Sequence, residues 1–61
     1  MTASKLKRVL KLAGINVINA RRVNGHTMAM VEGLSEDQIS KLPQGTRIDD
    51  NGNDLFFVTF L

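Results

Sequence analysis

INVINARRVNGHTMAMVE, residues 15–32, is the stretch whose reading decides the fold. Asn24-Gly25 sits at its centre between two runs that alternate in polarity, and Asn-Gly flanked in this way is the strongest short-range signal for a hairpin with a type I′ turn. A two-residue loop pairs Val23 with His26, Arg22 with Thr27, Arg21 with Met28, Ala20 with Ala29, Asn19 with Met30 and Ile18 with Val31. Two faces follow from this register. Ile18, Ala20, Ala29 and Val31 form a small-residue face able to receive a helix, and Asn19, Arg21, Met28 and Met30 form a mixed one.

Upstream, Leu6, Val9, Leu10 and Ala13 recur at three- and four-residue spacing, as in an amphipathic helix, with Ser4 or Thr2 as its N-cap. Gly14 is the expected stop and Ile15 the apolar residue that accompanies such a cap. Downstream, Ser35 and Gln38 have the spacing of a capping box for a short helix from Glu36 to about Leu42. Leu34, Ile39 and Leu42 supply its apolar contacts, and Pro43 ends it. Thr46 to Asp49 and Leu55 to Leu61 read as two further strands joined through a second Asn-Gly turn in Asp50-Asn51-Gly52-Asn53. The last strand is apolar on both faces, Phe56, Val58 and Phe60 on one and Leu55, Phe57 and Leu61 on the other, so both faces should be covered.

The predicted fold is therefore a single small α+β domain over residues 1–61, in the order α-β-β-α-β-β, with helices on one face of an antiparallel sheet. The two halves share an element order, but no residue-level match beyond it supports an internal duplication.

Hydrophobic residues at 43% and charged residues at 23% are the composition of a folded domain. Sixty-one residues make a small core, and natural domains of this size usually add disulfides, a metal or a partner. The chain has no Cys, which excludes disulfides and thiolate metal sites, and a lone His cannot supply a zinc site. No cofactor is expected, and with no long apolar run the chain reads as cytoplasmic. Good packing or a homodimer sharing a continuous sheet remains to stabilise it.

The net charge of +2 hides a segregation. Residues 1–31 carry Lys5, Lys7, Arg8, Lys11, Arg21 and Arg22 with no carboxylate side chain, whereas residues 32–61 have a net charge of −4. The six cations form a candidate nucleic-acid surface, and with no Tyr or Trp its contacts would be mainly to phosphate. Solvated charges that suppress aggregation account for them equally well. Asp49, Asn51, Asn53 and Asp54 place oxygens at alternate positions, but a calcium loop starting at Asp49 would need Gly at Asp54 and Glu at Phe60. Turn chemistry explains this cluster.

Histidine is the side-chain type whose unperturbed pKa lies near neutrality, and His26, the one histidine, beside Arg21 and Arg22 has the chemistry of a general base in RNA cleavage. Gly25-His26 after a helix ending in Ala13-Gly14 resembles the HicA-type small toxin ribonucleases, whose glycine-serine-histidine motif supplies a catalytic His. The resemblance implies that role for His26. It is confined to residues 1–30, and Asn24-Gly25-His26 lacks the serine.

No nucleophile with its base, phosphate-cradling glycine loop or metal constellation stands out, so the sequence is read as a non-catalytic binding module. The first expectation is a small regulator or inhibitor that binds a larger protein through its sheet, with Arg21, Met28, Met30, Phe56 and Phe60 as contact residues. Stand-alone domains of this kind are familiar in bacterial and phage genomes.

Overall fold

The computed structural model describes residues 2–60. Its elements run α1 (Ala3–Leu12), β1 (Asn16–Val23), β2 (His26–Glu32), α2 (Glu36–Ser40), β3 (Arg47–Asp50) and β4 (Leu55–Phe60). The strands form one antiparallel sheet in the order β1-β2-β4-β3. The fold is the small α+β domain in the expected order.

Thr2, rather than Ser4, caps α1: its Oγ1 accepts a hydrogen bond from the Lys5 amide at 3.1 Å. At the other end Gly14 takes a φ of +79°, and the amides of Ile15 and Gly14 donate to the carbonyls of Leu10 and Lys11 at 3.0 Å each. This is the paired bonding of a Schellman cap, which turns the chain sharply from helix into β1 and buries Ile15 in the core.

The first hairpin has the expected register from Val23↔His26 to Asn19↔Met30. Asn24 and Gly25 have φ values of +50° and +80°, as a type I′ turn requires. One expected pair is replaced. The register shifts between Val17 and Asn19, so Val17, not Ile18, lies opposite Val31. The bulge accommodates an extra residue in β1, and Ile18 is left 52% exposed while Val17 packs against the core.

Leu6, Leu10, Ala29, Val31 and Val58 are 0–1% exposed and form the centre of the core between α1 and the sheet. Phe56 and Phe60 pack around it from the same side. The buried Thr27 hydroxyl accepts a hydrogen bond from Nη1 of Arg22 at 3.1 Å, and Nη2 of Arg22 donates to the Gly25 carbonyl at 3.0 Å. Arg22 is thereby folded onto its own turn.

The second helix is shorter than its sequence pattern, ending at Ser40, and none of its residues is buried. Ile39 is 39% exposed, so Leu34 and Leu42, which flank the helix, make its core contacts instead. The Ser35–Gln38 capping box is present. Gln38 also donates from Nε2 to the Gly14 carbonyl at 2.8 Å, tying α2 to the end of α1. Gln38→Ala removes both the reciprocal cap and this tie, and is expected to lower stability by about 1–2 kcal/mol, read from a urea midpoint with unchanged m-value.

The second hairpin differs from the expected two-residue turn. β3 runs to Asp50, and residues 51–54 form a longer loop in which Gly52, Asn53 and Asp54 all have positive φ. Asn and Asp tolerate this conformation better than other side chains. Asp50 Oδ1 accepts from the Gly52 amide at 2.8 Å, and the Asp54 carbonyl accepts from the Gly33 amide at 2.8 Å. The loop is thus fastened to the end of β2. β4 occupies an interior position with β2 and β3 on either side, so both its edges are paired. Of its two apolar faces only that of Phe56, Val58 and Phe60 lies against the core, and the expected cover over the Phe57 face is not found among the described residues. The expected continuation of this strand to Leu61 lies outside the described residues.

Candidate functional site: the open sheet face

Alternation along each strand sends residues not facing α1 to the opposite side of the sheet. There the registers place Arg21, Met28, Thr59 and Arg47 in one row across β1, β2, β4 and β3. Asn19, Met30, Phe57 and Asp49 form the next row. The helix α1 and the residues flanking α2, Leu34 and Leu42, pack on the core side instead. Asn19, Arg21, Met28, Met30 and Phe57 line a shallow hollow on this face. A second hollow, bordered by His26, Met28, Arg47, Asp49 and Thr59, adjoins it toward the first turn.

The side chains of these rows support one another. Thr59 is only 6% exposed, and Met28, Met30 and Phe57 are half-buried. Arg47 pairs with Asp49 two residues along β3, Nε to Oδ2 at 3.2 Å, with both side chains well exposed. Such a pair contributes little to stability and its groups stay available to other charges.

Three of the five expected protein contacts, Arg21, Met28 and Met30, lie together here. Phe56 and Phe60 do not: they share the parity of Val58 and pack on the helix side of the sheet. Phe57 takes their place, directly opposite Met30. The signal for it was present in the alternation of β4, but a strand apolar on both faces does not reveal which face receives the helix.

The six cations are distributed over three surfaces. Lys7, Arg8 and Lys11 lie on the exposed side of α1 beside Ser4 and Leu12, and Lys5 is exposed nearby. No ion pair involves these four lysine and arginine side chains among the described residues. Arg22 is held on the hairpin turn and Arg21 faces the open side of the sheet. They therefore do not make one surface. The charge segregation persists in a different form, because the two hairpins point in opposite directions. Arg22 and Arg47 lie toward one end of the sheet, and Glu32, Asp50 and Asp54 toward the other.

No protein-family model matches the chain, and neither does any curated protein or solved structure.

His26 is exposed beside the turn, bordering the second hollow with Arg47 and Asp49. Asp49 is engaged with Arg47, whereas Asn51, Asn53 and Asp54 belong to the hairpin loop. Among the described residues no cluster of three His, Cys, Asp or Glu side chains is placed to hold a metal ion. Among the described residues no helix is long and apolar enough to cross a membrane.

Proposed function

We propose that this protein is a non-catalytic binding module that engages a larger protein, as an inhibitor or modulator, through the open face of its sheet. The observation that carries this reading is the half-buried cluster of Met28, Met30 and Phe57, on the side of the sheet away from α1, with Arg21 at its margin. Met, Phe and Arg are enriched in the cores of protein interfaces. Methionine adds adaptability, because its unbranched thioether repacks against irregular partners. Thioethers, a phenyl ring and a guanidinium are groups for contact rather than for proton transfer, which favours binding over catalysis.

A second reading has its own observation in the outer side of α1. Lys7, Arg8 and Lys11 present uncompensated charge there, suited to a phosphate backbone. The two readings place the contact on opposite sides of the molecule, so one experiment separates them. A photo-crosslinking amino acid is introduced in place of Met28, and in a second sample in place of Ser4, and each chain is irradiated in a lysate of its own cell. Position 28 is expected to give a protein adduct heavier than a pair of these chains, and position 4 none. Nucleic-acid adducts from position 4, with none from position 28, would replace the first reading by the second.

A further inference from the structure

We propose that the open sheet face also binds a second copy of this chain, in a face-to-face dimer whose two-fold axis runs across the strands between the two rows. The inference rests on the reading of this face as a binding surface and names one occupant for it. Under that axis the row Arg21, Met28, Thr59, Arg47 lies over the row Asn19, Met30, Phe57, Asp49 of the second copy. Arg47 then meets Asp49 of the second copy, and Asp49 meets its Arg47. The axis duplicates every contact, so both charged pairs are satisfied together. Met28 and Met30 fall opposite one another, Thr59 lies over Phe57, and Arg21 lies over the amide of Asn19. A two-fold axis along the strands would instead bring Arg21 toward Arg47 of the second copy, like charge against like charge.

The alternative route to a dimer, a continuous sheet through the β1 edge, is obstructed by β1 itself. Val23↔His26 closes the two-residue turn, so in the alternating antiparallel pattern the amide of Ala20 points away from β2. That outward amide already donates to Oδ1 of its neighbour Asn19 at 2.9 Å. The bulge at Ile18 bends the same edge, a known device against edge pairing. The opposite edge, β3, has four residues.

Packed sheets stand about 10 Å apart, a gap that Met and Arg side chains can span. Four strands about 4.8 Å apart and about six residues long give a footprint on the order of 400 Å² per copy. The total, about 800 Å², is below the range of about 1,200–2,000 Å² for stable complexes, so the dimer is weak and concentration-dependent.

The test is sedimentation of the purified full chain from about 20 µM to about 1 mM, where an interface of this size should begin to associate. Arg47→Asp and Asp49→Arg are each expected to weaken self-association at least about tenfold by placing like charges across the axis. An equimolar mixture of the two variants should associate again. In a mixed dimer the carboxylate introduced at position 47 faces the guanidinium introduced at position 49 of the other chain, and the unaltered Arg47 faces the unaltered Asp49. Each variant has lost the pair within its own chain, so recovery on mixing reports contact between chains. A wild-type chain that stays monomeric throughout, or a mixture no more associated than its components, overturns the dimer. A protein adduct from position 28 in the crosslinking experiment would then still leave the binding face in place, so the two readings fail separately.

Discussion

Leu10→Ala is expected to lower the unfolding free energy by about 3–5 kcal/mol, leaving much of the population unfolded at 25 °C. Leu10 is fully buried where α1 meets the sheet, beside Leu6 and against Ala29, Val31 and Val58. Truncation removes the transfer free energy of its side chain and leaves a cavity that a sheet and a capped helix close around only in part. A core of this size rarely provides more than about 3–5 kcal/mol in total, so one such cavity consumes most of the margin. The measurement is urea unfolding followed by far-ultraviolet circular dichroism, with amide dispersion in an NMR spectrum to report loss of tertiary structure. Leu12→Ala is the internal control. Leu12 belongs to the same helix but is 82% exposed, so its truncation should change stability by less than about 0.5 kcal/mol. Equal effects at the two positions would mean that α1 does not seat on the sheet by the Leu6–Leu10 side.

The positions at which sequence reasoning succeeded share a physical property: their signals are local. Asn24-Gly25 sets a turn, the turn sets a register, and five consecutive pairs from Val23↔His26 to Asn19↔Met30 follow without reference to the rest of the molecule. The Ser35–Gln38 capping box and the stop at Gly14 are local in the same sense. The bulge at Ile18 is not. Val17 and Ile18 are both apolar and β-branched, and which one enters the core depends on how the chain leaves α1 and meets β2.

The candidate site was legible in the same proportion. Met28 and Met30 alternate with Ala29, and the small residue marks the side that a helix can approach. Their face was therefore identifiable from the hairpin alone. In β4 large apolar residues stand on both sides, so its pattern cannot choose between Phe57 and the Phe56–Phe60 pair. That choice is made by the pairing of β4 with β2, a contact between residues far apart in sequence. The six cations illustrate a related limit. Their nearness in sequence did not place them on one surface, because the reversal at Gly14 and the alternation of β1 sent them in three directions.

Ala29→Leu tests the opposite failing of a core, too much volume in place of too little, and is expected to cost about 2–3 kcal/mol. Ala29 is 1% exposed, paired with Ala20 on one side and Val58 on the other, and the sheet face it belongs to receives α1. A leucine there adds three carbons beneath the helix, and the buried Leu6, Leu10 and Val31 leave them no open space. The helix must lift or its neighbours must leave their preferred rotamers, and either adjustment loses contacts over the whole layer. Met30→Leu changes the next residue in the chain, on the other face of the same strand, and should stay within about 1 kcal/mol of the parent. The thermal midpoints of the two variants should therefore separate by roughly 10 °C or more for a domain of this size. If both residues tolerated leucine equally, β2 would not have one face committed to the core. The distinction between a packed side at Ala29 and an open side at Met28 and Met30 would then fail at its origin, in the register that the Asn24-Gly25 turn imposes.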